Sequence, residues 1–162
     1  MTLQNELDKL CAFVEHGEIT AEHIEMLTTK NLEAKVFKLA DFVASGNSDQ
    51  AYKQLDLLFY QREEPIAVLA VLSGAYVDMY RVRVAIESGE QSSVLEKYFD
   101  YGKKAFRLKN AERDGKRLTT TALRKSLDAI VDTDYRMKST RADKRVLMET
   151  LISKLLLLSR EQ

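Results

Sequence analysis

The sequence is poor in residues that break helices and in residues that cross-link a chain. Its 162 residues include one proline, six glycines, one cysteine and no tryptophan. Folds built from many strands and turns need more glycine and proline than this, so a helical fold is favoured. The single cysteine, Cys11, excludes an intrachain disulfide and is typical of a protein from a reducing compartment.

The sequence also has no long apolar run and no basic-then-apolar leader. The four leucines at residues 155–158 and the other apolar runs are far shorter than the roughly 18 residues that a membrane span needs. Hydrophobic residues make up 45% and charged residues 31%, which is typical of a globular domain and too apolar for intrinsic disorder. We therefore expect a soluble, cytoplasmic protein.

Residues that carry catalysis or bind cofactors and metals are scarce. There is no Gly-rich phosphate loop and no dinucleotide-binding fingerprint. His16 and His23, the two histidines, do not form with Cys11 the paired spacing of a structural zinc site. Asp132 and Asp134 are two residues apart, so their carboxylates point to different faces of a helix. We expect no enzymatic activity from this chain alone, no cofactor and no metal.

Apolar residues recur at three- and four-residue steps along the chain, which predicts an all-α fold of eight or nine helices. The clearest helix begins at Pro65, because proline is favoured at a first helical position and the two glutamates before it suit the helix dipole. Thr119 or Thr120 is expected to cap a later helix. The last helix is expected to begin near Asp143 and to reach Leu158.

The N-terminal part is patterned differently from the rest. A short helix opening at Thr20 is expected to fade over residues 28–31, and a longer helix follows. Ser48 is expected to cap the helix after that. We expect a domain boundary at this fading point, so that residues 1–31 and residues 32–162 belong to different domains.

Positive charge is concentrated in the second half of the chain. Residues 82–162 hold 18 Lys or Arg against 12 Asp or Glu, whereas residues 1–81 hold seven against 13. The basic stretch 103–117 could bind phosphates, because cations that contact nucleic acid release its counterions. The same stretch also suits a solvated or protein-contacting helix face, and both interpretations stay open. Its candidate phosphate contacts are Lys103, Lys104 and Arg107.

Four motifs in a fixed order carry a resemblance to a known family. They are Leu3-x-Asn5-Glu6-Leu7-x-Lys9-Leu10 with Ile19-Thr20, Val36-Phe37-x-Leu39-x-Asp41 with Gly46-Asn47, Glu63-Glu64-Pro65-Ile66 with Leu69 and Leu72, and Asp134-x-x-x-Lys138 with Glu149-x-Leu151-Ile152. Over about residues 3–158, they resemble the C-terminal half of the bacterial DNA polymerase III delta subunit, a sliding-clamp loader component. Arg62 and Ser139 depart from the pattern, because the family often has glycine at these two turn positions.

The resemblance implies a scaffold role. Residues 1–31 would be the end of a small AAA-type lid domain, and residues 32–162 the helical collar domain through which loader subunits oligomerise. The family takes part in loading the ring-shaped sliding clamp onto primed DNA during replication, within the DNA polymerase III holoenzyme. The implied collar partners are the gamma/tau and delta prime subunits. The clamp and primed DNA would be contacted by an N-terminal half that this sequence lacks, so we expect the chain to be a fragment.

A scaffold should keep some apolar side chains exposed for its partners. Four residues near the edges of their apolar stripes are the candidate partner contacts: Tyr76, Tyr80, Leu156 and Leu157. The alternative function is a self-contained helical nucleic-acid-binding protein that uses residues 103–117 together with the cations between Arg136 and Arg145. Such binding would weaken steeply with salt.

Overall fold

The computed structural model describes residue 8, residues 11–12, residue 14 and residues 20–102 and 105–161. These residues form six α-helices and one 3₁₀-helix, with no strand among them, so the predicted all-α class is confirmed. The predicted count of eight or nine helices covers the whole chain, and part of it falls on N-terminal residues outside the described ranges, so that count stays a prediction. In order they are α1 (Ala21–Ala44), α2 (Ser48–Tyr60), α3 (Pro65–Glu87), η1 (Ser92–Lys97), α4 (Ala105–Gly115), α5 (Thr120–Ser139) and α6 (Lys144–Leu158).

Helix α1 is longer than the sequence pattern predicted. The expected fading over residues 28–31 does not occur, and one helix runs from Ala21 to Ala44. Thr28, Thr29 and Asn31 are weak helix formers, but no proline or glycine lies within this range to end the helix. The chain divides into two compact units, Met1–Ala34 and Lys35–Gln162, and the division falls within α1.

Helix starts follow capping chemistry that the sequence partly revealed. Pro65 is the first residue of α3, and the Thr119 side chain accepts a hydrogen bond from a backbone N–H in the first turn of α5, as expected. The cap of α2 is Asn47 instead of Ser48, because the Asn47 side chain accepts from the Gln50 N–H at 3.3 Å. Asparagine and serine are equally good caps, so composition alone could not choose between these neighbours.

In the unit Lys35–Gln162, α3 is the central helix. It packs against α4, α5, α6 and η1, while α6 also packs against α5 and α2. Helices α3 and α4 approach closely at Gly115, where an added Cβ would lie 3.2 Å from the Met79 carbonyl oxygen of α3. Glycine at the end of α4 therefore lets two helices pack almost backbone to backbone. The fully buried side chains of this core include Leu69, Leu72, Met79, Leu123, Ile130, Met148, Ile152 and Leu155.

Helix α3 alone among the described helices is long and apolar enough to cross a membrane by length and composition. Of its most apolar window, 44% is buried inside the protein. It also carries Asp78, which is 1% exposed. A core helix of a soluble protein can have the same length and composition. The length and composition of α3 are therefore weak evidence for a membrane span, since much of the helix is buried inside the protein.

The turn between α2 and α3 holds a residue in an unfavourable backbone conformation. Arg62 has φ of +61°, the left-handed region that favours glycine. Its N–H donates to Phe59 O at 2.9 Å, and the next N–H, of Glu63, donates to Leu58 O at 3.0 Å, which is the Schellman pattern of a helix end. The family resemblance put glycine at this position, and the geometry explains that preference.

An ion-pair cluster joins α4 to α1 beside the core. Asp114 is 1% exposed and receives two hydrogen bonds from Arg113, at 2.6 and 2.9 Å. Asp41 of α1 accepts from Arg117 at 2.7 Å, and Arg117 also lies 3.7 Å from Asp114. Burial raises the pKa of Asp114 and outweighs Arg113 and Arg117, which lower it.

Replacing Arg62 by glycine (R62G) should raise the free energy of unfolding by up to about 1 kcal/mol, because glycine removes the left-handed strain. Arg62→Ala removes the same side chain but keeps the strain, so it is the matched control. Urea denaturation of the three proteins measures the difference. Equal stability of the glycine and alanine variants would show that the turn is not strained.

Asp114 should make stability depend on pH. Its folded pKa is raised, so the folded state binds this proton more tightly, and stability falls as pH rises from about 4 through the raised value. Asp114→Asn should remove the contribution of Asp114 to this pH dependence. The urea concentration at the midpoint of unfolding should then change less with pH. Asp132→Asn, at an exposed position of α5, should leave the slope unchanged. An unchanged slope in D114N would contradict the account.

Candidate partner surface

The four predicted partner contacts divide into two buried and two accessible side chains. Tyr76 is 1% exposed and Leu156 is 4% exposed. Tyr80 is half-buried, and Leu157 is 65% exposed. The expectation of exposure is therefore wrong for Tyr76 and Leu156, whereas Leu157 remains available to a partner.

Tyr76 and Leu156 lie at helix–helix contacts. The pattern of apolar residues in the sequence did not show that these two positions are buried. Burial raises the pKa of the Tyr76 hydroxyl, and the nearby Asp114 carboxylate on α4 raises it further. Tyr76 thus belongs to the contact between α3 and α4. Leu156 lies on the side of α6 that faces α2.

A shallow groove of about 260 Å³ surrounds Leu157. The Tyr52 and Ser153 hydroxyls share a hydrogen bond of 2.6 Å across it, joining α2 to α6. At one end Arg160 donates to the Ser48 hydroxyl at 3.2 Å. The groove between α2 and α6 therefore presents an exposed leucine and a tyrosine ring next to a guanidinium. Its lining residues are Ser48, Tyr52, Ser153, Leu156, Leu157 and Arg160.

Farther along the same helix pair, Arg145 of α6 makes a second connection to α2. Its Nη2 donates to Asp56 of α2 at 2.8 Å, and its Nε donates to Glu149 at 2.9 Å. Its guanidinium also lies over the Phe59 ring, 5.3 Å from the centroid. Hydrogen bonding to Glu149 is the main cause that raises the pKa of Arg145. These contacts and the Tyr52–Ser153 bond hold α2 and α6 together along their length.

Helix α5 has an exposed apolar pair, Val131 and Tyr135. Val131 is 67% exposed and Tyr135 is 68% exposed. They lie four residues apart and so share a face. The residues three positions to either side of Val131 are Asp128 and Asp134, and this acidic flanking is the signal that could have shown the position to be on the surface.

Arg107, a predicted phosphate contact, is paired inside the protein. Its Nε donates to Asp78 Oδ2 at 2.9 Å, and its Nη2 forms an ion pair with the same oxygen at 2.7 Å. Tyr101 donates its hydroxyl to the other oxygen of this buried carboxylate at 2.9 Å. The other two predicted phosphate contacts, Lys103 and Lys104, lie outside the described residues. Arg107 therefore serves the fold and is not free to bind a phosphate.

Most described cations of the basic stretch 103–117 have carboxylate partners. Arg113 and Arg117 belong to the cluster around Asp114, and Lys116 donates to Glu112 at 2.8 Å. That bond is the main cause that lowers the pKa of Glu112. Lys109 is exposed, with no carboxylate within 4.0 Å among the described residues. The described cations of this stretch are thus largely neutralised by carboxylates of the same chain.

The turn between α5 and α6 has the opposite character. Arg136, Arg141 and Lys144 are exposed, and none of the carboxylates in the described part of the chain lies within 4.0 Å of their charged groups. Lys138 is paired with Asp134 at 2.7 Å. Three uncompensated cations therefore lie close together in sequence at this turn.

The described residues contain no group of three or more His, Cys, Asp or Glu side chains that could hold a metal ion. The buried carboxylates of Asp78 and Asp114 and the half-buried carboxylate of Asp41 are each paired with arginine. The surface chemistry of the described residues is that of an apolar groove and scattered charge.

Replacing Arg107 by methionine (R107M) should lower the free energy of unfolding by about 2–3 kcal/mol, because the Asp78 carboxylate would stay buried without its hydrogen bond and ion pair to Arg107. Lys109→Met, two residues away on the same helix, should change it by less than about 0.5 kcal/mol. Urea denaturation distinguishes the two. A loss in R107M no larger than that in K109M would mean that Arg107 is not a structural residue.

Comparisons with known proteins agree with the resemblance in the sequence motifs. The family model "DNA polymerase III delta subunit, C-terminal domain" matches residues 33–155. The chain is 27% identical over 152 residues to DNA polymerase III subunit delta of Bacillus subtilis (strain 168), covering 93% of this chain and 43% of that protein. It also resembles the solved structure of the Bacillus subtilis DNA clamp loader delta protein, with a TM-score of 0.72 and 26% identity.

That structural match covers 94% of this chain and 45% of the Bacillus subtilis chain. The chain thus spans less than half the length of the relatives it matches. The family model, in contrast, covers most of this chain, including all of the helices from α2 to α5. The chain therefore belongs to the family formed by the C-terminal domains of DNA polymerase III delta subunits.

Proposed function

We propose that this chain is the scaffold and oligomerisation part of a clamp-loader delta subunit. Residues 32–162 act as the collar domain, and residues 1–31 are the end of a lid domain. The observation that carries the proposal is the family match over residues 33–155. The helical core around α3 supports it, because a rigid bundle can present fixed surfaces to neighbouring subunits.

The partners in this proposal are the other clamp-loader subunits, gamma/tau and delta prime, which pack against the collar. The relatives are more than twice as long as this chain. The half of the parent that precedes the matched region would contact the sliding clamp and primed DNA. The chain itself carries no catalytic step and needs no cofactor, and the parent works in the cytoplasm within a DNA-directed DNA polymerase holoenzyme.

The partner contact in this proposal centres on the groove around Leu157. A single exposed leucine is ordinary on a protein surface. Leu157 differs because it borders a groove with Tyr52, and tyrosine and arginine are enriched where interfaces gain most of their binding energy. Tyr80 of α3, which is half-buried, stays a second predicted contact.

A second candidate function is direct contact with nucleic acid. One observation favours a contact outside the stretch 103–117, where the sequence predicted it. The described arginines of the stretch 103–117 are paired with carboxylates, whereas Arg136, Arg141 and Lys144 are not. Unpaired cations release more free energy on meeting phosphates. In this second candidate the turn between α5 and α6 is the contact.

Light scattering on a sizing column tests the scaffold proposal. The chain is mixed with the collar domains of the other loader subunits in moderate salt, and we expect a stable mixed complex. Leu157→Glu should weaken it at least tenfold, because a charge would be buried in the contact. Val131→Glu is the matched control, since Val131 is exposed to the same degree (67% against 65%) but lies on α5.

A monomer in every mixture would contradict the scaffold proposal for this part of the protein. Equal weakening by L157E and V131E would mean that the groove is not the contact. Salt-dependent DNA binding that is lost in Arg141→Ser but kept in Lys109→Ser would favour the second candidate instead.

A further inference from the structure

The segment between α3 and α4 is bracketed by two glycines in the left-handed region. Residues 90–101, here called the strap, contain η1 and lie between Gly89 (φ +80°) and Gly102 (φ +43°). An added Cβ at Gly89 would meet no atom within 4 Å, so backbone conformation and not space explains glycine there. Glycine crosses between left- and right-handed conformations easily, so both ends of the strap can act as hinges.

The C-terminal end of the strap is fastened to one turn of α3. Tyr101 donates its hydroxyl to Asp78 at 2.9 Å. The Arg81 guanidinium lies over the Phe99 ring, 3.7 Å from the centroid, and its Nη1 is 3.5 Å from Asp78. Asp78 and Arg81 are three residues apart and share a face of α3. Asp78 and Arg81 of α3 therefore make the two contacts that hold this end of the strap, with Tyr101 and Phe99.

Between its ends the strap packs against α3 and α4 through η1 but buries little apolar side chain. Leu95 is the one buried apolar residue of η1, and the Ser92 hydroxyl donates to Glu112 of α4 at 3.2 Å. Tyr98, in contrast, is 75% exposed. A 3₁₀-helix has poorer hydrogen-bond geometry than an α-helix, so η1 gives the strap little stability of its own. Segments with few buried apolar contacts open at a lower free energy than the core does.

We propose that the strap opens and closes on α3 as one unit, with hinges at Gly89 and Gly102, and that Asp78 and Arg81 are the residues that fasten it. The packing of α3 against α5 and α6 does not involve the strap, and Arg107 on α4 pairs with Asp78 independently of it, so we expect the core to stay folded when the strap opens. Opening would uncover the turn of α3 that carries Asp78 and Arg81.

Amide hydrogen exchange followed by mass spectrometry or NMR tests the proposal on the chain as it is. The reporters are the hydrogen-bonded amides of Val94, Tyr98 and Phe99. Tyr101→Phe removes one fastening and keeps the ring and the Arg107–Asp78 pair. We expect it to speed exchange of these amides by about five- to tenfold, the effect of one hydrogen bond. Amides of α5 and α6 should exchange at the same rate as in the unsubstituted chain.

Arg81→Met is the second variant, because it removes the contact between the Arg81 guanidinium and the Phe99 ring. It should speed exchange of the same strap amides. Arg83→Met is the matched control, since Arg83 is also on α3 but pairs with Glu87 and not with the strap. Faster exchange in the strap alone, in both Y101F and R81M, supports the proposal. Exchange that rises equally in the strap and in α5 and α6, or that rises in neither variant, would overturn it.

Discussion

The packing around α3 depends on one buried carboxylate. Asp78 is 1% exposed in the most apolar long helix of the chain, and such a group is tolerated only with strong partners. Arg107 supplies one hydrogen bond and an ion pair at 2.7 Å, and Tyr101 supplies a second hydrogen bond. The same carboxylate therefore fixes the first turn of α4 and the end of the strap. Gly74 allows this arrangement, because an added Cβ would lie 3.2 Å from Arg107 Nη2.

The pairing of Asp78 and a second pairing around Asp114 decide what the basic stretch can do. A run of lysines and arginines at residues 103–117 suggested phosphate binding, but the described arginines of this stretch neutralise carboxylates on α1, α3 and α4. Free positive charge is found instead at the turn between α5 and α6. A scaffold domain accounts for this distribution, because its charges order helices while an apolar groove around Leu157 remains available.

Local signals in the sequence predicted much of the fold. The proline at position 65 and the threonine at position 119 act within one helical turn, so helix starts could be read directly. The pairing of Arg107 with Asp78 joins residues 29 positions apart, and no spacing rule reveals it. The burial of Tyr76 and Leu156 and the exposure of Leu157 depend on which helices become neighbours. A stripe of apolar residues shows which face of a helix is buried but does not identify the helix that covers its edge.

The most direct test of the central claim is a double-mutant cycle between Asp78 and Arg107. The free energies of unfolding of the parent chain, Asp78→Asn, Arg107→Met and the double variant would be compared by urea denaturation. If the buried carboxylate organises α3 and α4, the two single losses should not add, and the coupling should be at least about 1.5 kcal/mol. If the two single-variant losses add up to the double-variant loss within about 0.5 kcal/mol, Asp78 and Arg107 contribute to stability independently, as two surface side chains would.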